Sequence, residues 1–190
     1  MKKLLILITS AVLCTGCQKS LSEKEVQEYR ESGMKIAKET YQKLSATLTE
    51  KMKAGGIPEA VQYCNTAALP LTEEISAKYG VQIKRTALRT RNERNSPDEE
   101  ELEILNYYQT LSNKNQELKA LVQLDKKGNP HFYAPIILQK KCLSCHGSLD
   151  QEVSRKTDSI IKSYYPNDMA LGFQENDLRG IWSIAFTAKN

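Results

Sequence analysis

Apolar residues recur along this chain with two periods. Between Leu21 and Lys53 they advance in steps of three and four: Met34, Ala37, Tyr41, Leu44 and Leu48. That spacing makes one face of a long amphipathic helix, with charged residues on the other faces. Gly55-Gly56 is a helix stop. A second helix is predicted from Ile57 toward Lys78, with Pro58 in its first turn and a kink at Pro70. Ala60, Val61, Cys64, Ala67, Ala68 and Leu71 share one of its faces. Val81 to Leu88 alternates loosely, as a strand does, and Arg89 to Asn95 is a polar loop. Ser96-Pro97-Asp98-Glu99 reads as Ser at the N-cap, Pro at the first helical position and Glu at the third, opening a helix to about Leu111. Leu121 to Leu124 and His131 to Leu138, on either side of the Asp125-to-Pro130 turn, predict a β-hairpin. Leu149 to Tyr164 reads as a helix closed by Pro166. Gly172-Phe173, Gly180 and Ile181 to Thr187 predict a closing hairpin. Helices followed by a small antiparallel sheet make the fold class α+β.

The first residues have a different pattern. Lys2 and Lys3 precede an apolar run, Leu4 to Leu13, that is too short to span a bilayer. Cys14-Thr15-Gly16-Cys17 follows. A small residue before Cys17 resembles the bacterial lipoprotein cleavage box, although Cys14 stands where Leu is usual. The expected organisation is a signal peptide over 1–16, a tether over 17–22 beginning with acylated Cys17, and a single domain over 23–190. Several acyl chains would anchor it stably, which one chain does not. The domain is then expected on the periplasmic side of a bacterial membrane, inner or outer, as a water-soluble body on a lipid anchor.

Composition narrows the function classes. The net charge of +4 falls to about +2 once Lys2 and Lys3 are removed, which is not the strong basic patch of a nucleic-acid binder. Apolar content of 40% suits a globular domain and is low for a membrane protein. A helix as long as the first one can also pair with a second copy of the chain.

The five cysteines are 14, 17, 64, 142 and 145. Cys142-Leu143-Ser144-Cys145-His146 has the C-x-x-C-H spacing of c-type haem attachment. With five Cys and two His in 190 residues, chance produces this pentapeptide in roughly one shuffled sequence per thousand. The spacing has a chemical reason: two thiols form thioethers with two vinyl groups on one porphyrin edge, and the next residue presents its imidazole to the iron. A helical turn starting near Gln139 would arrange the three side chains so. Two other readings stay open on the residues alone. A redox-active dithiol needs only the C-x-x-C, although the strand-to-helix βαβ setting is missing. A zinc site would need a further donor, for which Cys64 and His131 are available. Cys64 itself has two readings. It is a small apolar residue in close helix packing, or its alanine neighbours leave room for a flat, bulky group.

Several segments resemble a known family, the PAS-like c-type haem domains, first described structurally in a cyanobacterial haem protein and also found as extracytoplasmic parts of signalling proteins. They are Ala60-Val61-Gln62-Tyr63-Cys64, Lys84-Arg85-Thr86, Arg91-Asn92 through Asn95 with Pro97-Asp98, Cys142 to Gly147, Ala170 to Phe173, and Asn176 to Gly180. Two positions depart from the family pattern: Glu93 stands where Pro is usual, and Asn176-Asp177 where Gly-Asp is common. The resemblance implies N-terminal helices packed on a small antiparallel PAS-like sheet. It also implies a covalent haem c on Cys142 and Cys145, with its iron between His146 and Cys64. Arg85, Arg91 and Arg179 become candidates for contacts to the haem propionates.

These expectations describe an exported haem-binding redox or gas sensory module, not an enzyme. No kinase or cyclase segment is present in the sequence, so sensing would act through a separate redox or signalling partner. The alternatives are a periplasmic electron-transfer cytochrome and a non-haem thiol-redox lipoprotein. A peroxidase-like enzyme would need an open iron position and a distal acid–base group, for which only His131 is spare.

Overall fold

The computed structural model describes residues 20–187. The signal segment and Cys17 lie outside the described residues. Helix α1 covers Glu23–Thr66 and α2 covers Ala68–Tyr79. Strand β1 (Val81–Thr86) leads through a short 3-10 turn at Glu93–Asn95 into α3 (Glu99–Asn113). Strands β2 (Leu121–Leu124) and β3 (Pro130–Ile137) follow as a hairpin. A 3-10 turn at Lys140–Cys142 opens into α4 (Leu143–His146), then come α5 (Arg155–Tyr164) and β4 (Leu178–Phe186).

The four strands form one antiparallel sheet in the order β1-β4-β3-β2. The α+β class is therefore correct, with helices on both faces. One face carries Phe132, Ala134, Trp182, Ile184 and Phe186 and meets Ile36, Ala37 and Leu44 of α1 and Ala68 of α2. The other carries Tyr133, Leu178 and Ile181 and meets Ile104, Leu105 and Tyr108 of α3. The alternation follows from the two-residue period of a strand. Residues opposed across the ladder share a face, which puts Arg85, Trp182 and Ala134 on the α1 side. Among the described residues no helix is long and apolar enough to cross a membrane.

Five local expectations need correction. The buried stripe of α1 runs through Gly33, Ile36, Ala37, Thr40 and Leu44, whereas Met34 and Tyr41 are exposed. Two weakly apolar residues turn the face. A Cβ on Gly33 would lie 2.3 Å from Cγ of Phe132, so the aromatic ring packs directly on the helix backbone. Thr40 satisfies its hydroxyl on the Ile36 carbonyl at 2.8 Å and can be buried. The predicted stop at Gly55-Gly56 is present as an interruption of α1, with Gly56 at φ +66°. The next break falls at Ala67, ahead of Pro70. A proline ring clashes with the carbonyl four residues back, here Thr66, and α1 ends there. Pro70 then sits in the first turn of α2, where no intrahelical N–H is required.

The cap of α3 is Asp98, in a capping box with Glu101, two residues after the predicted Ser96. Helix α5 starts at Arg155 with Ser154 as its cap; Leu149 to Val153 form a turn closed by a bridge between those two residues. The closing hairpin is a single strand, β4. It lies between β1 and β3 and finds both its partners there, so Gly172-Phe173 is free to serve as a loop.

Candidate functional site

The site lies at the end of the sheet where β1 and β3 stop and β4 begins. Strand β3 runs directly into the Cys142-to-His146 segment, as a 3-10 turn and then one turn of helix. Such a short helix cannot hold itself in place by its own hydrogen bonds. The loop that precedes β4 holds it: Phe173 N–H donates to the His146 carbonyl at 2.9 Å, and Gly172 N–H to the Gly147 carbonyl at 2.8 Å. Asn176 N–H and the Asp177 carbonyl bond Leu138 just ahead of the motif.

His146 is half-buried, and its Nδ1 lies 2.8 Å from the Ala170 carbonyl. A carbonyl oxygen only accepts, so Nδ1 carries the proton and Nε2 keeps its lone pair. This arrangement fixes a metal-binding histidine in the correct tautomer and orientation. Burial, and then the charges of Arg91 and Arg179, hold the His146 imidazole well below its usual pKa. Its edge faces Phe173, with ring centroids 6.4 Å apart. Arg89 and Arg179 both lie over the ring of Phe173, at 4.2 and 5.4 Å from its centroid.

Arg91 braces the same loops. Its Nε and Nη2 bind the two carboxylate oxygens of Asp168, each at 3.1 Å. Nη2 also donates to the Cys145 carbonyl at 2.6 Å and to the Ala170 carbonyl at 3.2 Å. The Asp168 side chain has no exposed surface and that of Arg91 is 13% exposed. Asp168 further accepts the Ala170 N–H at 2.8 Å. This pair sets the geometry of the site, yet sequence reasoning named only Arg91, and for another role. Asp168 carries no spacing signal, because its partner is 77 residues away in sequence.

Cys64 lies on the part of α1 that follows the Gly55-Gly56 interruption. Val61, one turn earlier, packs with Ile161 and Tyr165, and Cys145 packs against that cluster. Burial pushes the Cys64 thiol up; Arg85 and Arg91 pull it down, and Cys145 raises it. Cys64, Cys142 and Cys145 are all free thiols and half-buried. Arg85 lies 6.0 Å from the Trp182 ring centroid and forms no ion pair among the described residues. Its pKa is lowered by burial, with Cys64 as the largest opposing influence. Arg179 donates to the Arg89 carbonyl at 2.9 Å, and burial brings its pKa down to about 10. The sequence-predicted residues Cys64, Cys145, His146, Arg85, Arg91 and Arg179 thus belong to one electrostatically connected region. Cys142 joins it through the Leu138, Ala170 and Phe173 cluster.

His131 is elsewhere. It stacks on Tyr133 at 4.2 Å, and its Nε2 is 2.8 Å from Oγ of Ser183, on the α3 face of the sheet. It cannot complete a zinc site with Cys64. Among the described residues no three His, Cys, Asp or Glu side chains gather as metal ligands. The C-x-x-C segment also differs from a dithiol motif of the thioredoxin type: the sheet is antiparallel and the helix has four residues.

The donor set fits haem. Two thiols precede a histidine whose Nε2 keeps its lone pair, the third thiol, Cys64, interacts electrostatically with Cys145, and among the described residues Arg85, Arg89, Arg91 and Arg179 share one ion pair, Arg91 with Asp168. That excess of positive charge suits a dianionic group.

The antiparallel sheet flanked by helices is a PAS-like α+β fold, and the C-x-x-C-H segment lies at its end. The chain belongs to the Tll0287-like family, whose model matches residues 18–187. It is similar to the solved structure of the cyanobacterial haem protein Tll0287, with a TM-score of 0.56 and 26% sequence identity over 82% of this chain and 94% of that one. No curated protein matches the sequence significantly.

Proposed function

We propose that this chain is an exported c-type haem protein, lipid-anchored through Cys17 on the periplasmic side, that works as a redox or gas sensory module. The observation that carries the reading is the hydrogen bond from Nδ1 of His146 to the Ala170 carbonyl, within a C-x-x-C-H segment of a chain whose family includes a haem protein. Bound haem would supply an iron that changes oxidation state and accepts two axial ligands. Cys142 and Cys145 would hold the porphyrin through thioethers, and Nε2 of His146 would ligate the iron. Cys64, as thiolate, would be the second ligand, with Arg85 and Arg91 supporting its negative charge. Arg85, Arg91 and Arg179 would contact the propionates. A thiolate donates strongly and favours the ferric state, so the reduction potential is low. Protonation of Cys64 would weaken its hold on the iron, which is the change a redox or gas sensor would use.

The test is the ferric and ferrous absorption spectrum of the wild type beside Cys64→Ser, after expression with the haem-attachment machinery. A pyridine haemochrome spectrum of thioether-linked haem is expected, together with a thiolate-ligated low-spin ferric form that Cys64→Ser converts. No covalent haem would overturn the whole reading. An unchanged ferric spectrum in Cys64→Ser would overturn the Cys64 assignment alone. Gas binding on reduction supports sensing, whereas rapid electron exchange with a c-type partner and no gas binding would make the chain an electron carrier.

A further inference from the structure

Arg91 and His146 share an acceptor. The Ala170 carbonyl accepts from Nδ1 of His146 at 2.8 Å and from Nη2 of Arg91 at 3.2 Å. A carbonyl oxygen has two lone pairs and accepts both; Nη2 serves three acceptors with two hydrogens, so one of its N–H groups is shared between two of them. The two bonds to the Ala170 carbonyl are not independent. A cation bonded to one lone pair withdraws electron density from the oxygen and weakens its hold on the second proton. The position of this cation is fixed by the surrounding bonds. Asp168 grips Nε and Nη2 at 3.1 Å, has no exposed side-chain surface, and anchors the Ala170 N–H at 2.8 Å. The Cys145 carbonyl holds Nη2 at 2.6 Å from the motif side. Arg91, Asp168, the Ala170 backbone and His146 form one closed network.

We propose that Arg91 is a positioning residue that sets the donor strength of His146. A histidine whose Nδ1–H is strongly bonded gains imidazolate character and becomes a stronger ligand through Nε2. By occupying the same carbonyl, Arg91 limits that gain. The inference rests on the reading of His146 as a haem ligand. Its consequence is a division of labour between the two axial residues: Cys64 donates strongly, and His146 is held to moderate strength, which keeps the potential from falling further. Asp168 acts one step behind, by holding the guanidinium on the carbonyl.

The decisive variant is the double substitution Arg91→Gln with Asp168→Asn. It replaces a buried ion pair by a neutral amide pair, so net charge is unchanged and no lone charge is left buried. The readout is the iron–histidine stretching band in the resonance Raman spectrum of the reduced protein, in a Cys64→Ala background that leaves His146 as the one strong axial ligand. The band is expected to move to higher wavenumber in the double variant. With Cys64 intact, the same double substitution is expected to lower the midpoint potential. Lys84→Gln with Glu101→Gln serves as a control, because it neutralises a buried ion pair on the α3 face without touching Ala170. It should leave both the band and the midpoint in place. A band that stays put, broadens about the same centre or moves down in the double variant overturns the proposal and leaves Arg91 as a structural clamp only. No iron–histidine band in the Cys64→Ala protein itself overturns the assignment of His146, and this inference with it.

Discussion

Two buried acid–base pairs flank the sheet. On the α3 face Lys84 of β1 binds Glu101 at 2.5 Å; at the site Arg91 binds Asp168 at 3.1 Å. Both carboxylates are almost wholly buried, at 3% and 0% side-chain exposure. The cations differ. An ammonium is a compact point charge, and Lys84 at 32% exposure still reaches water. Glu101 spends its remaining capacity on the cap of its own helix, accepting the Asp98 N–H at 3.0 Å. A guanidinium is a planar fork, and Arg91 divides its donors between a carboxylate and two backbone carbonyls, one from α4 and one from the loop before β4. One pair therefore fastens a helix to a strand, while the other joins the haem-motif turn to the loop that supports it. Equal burial does not mean equal purpose. What separates the pairs is how many segments each cation holds.

That comparison can be broken experimentally. Asp168→Asn alone leaves the Arg91 charge without its counter-ion in a buried position. It should cost about 3 kcal/mol or more of unfolding free energy, read by denaturant titration, and should loosen the haem environment. A loss as small as that of an exposed pair would show that the two carbonyls suffice. Glu101→Gln is expected to cost about 1 kcal/mol, because Gln still caps the helix and Lys84 can turn to solvent. The haem spectrum should not move, and a spectral change would mean that the α3 face communicates with the site. The smallest effect concerns His131, beside the Glu101 pair. Burial holds its pKa below the ordinary 6.5. The unfolded chain therefore takes up a proton that the folded chain refuses once pH falls below about 6.5, and stability is lost in that direction. His131→Gln should narrow the difference in Tm between about pH 7.5 and pH 5.5; an unchanged difference would assign the slope to other groups.

The parts of this molecule legible in its sequence are those governed by local chemistry. Gly55-Gly56 weakens a helix by its own backbone freedom, here to the point of interruption, and C-x-x-C-H announces a candidate haem site by spacing alone. The face of α1 was misread because the period was counted from Met34 and Tyr41, while Gly33 and Thr40 lie inward. Only the ring of Phe132, a hundred residues on, makes a glycine the right core residue there. The stop ahead of Pro70 needed the steric reach of the ring four residues back. Closing strands became one strand because β4 has partners on both sides, which is a property of topology. At the site, side chains were nameable and their supports were not. The acceptor for His146 is a backbone carbonyl, which any residue at position 170 would supply, and Asp168 looks like an ordinary loop aspartate until Arg91 is placed against it.

The interruption at Gly55-Gly56 has a consequence for positional tolerance. Helix α1 is seated on the sheet near Gly33, and Cys64 lies 31 residues further along, about 46 Å of straight helix at 1.5 Å per residue. A rod of that length turns a 3° error at its seat into a displacement of about 2.4 Å at its tip, more than the length of a covalent bond. Breaking the rod leaves a lever of eight residues, about 12 Å, for which the same error is about 0.6 Å. The short arm then takes its alignment from Ile161, Tyr165 and Cys145, the neighbours packed around Val61. The long segment can bend, breathe or accept substitutions over its length while the last turns register against a local reference.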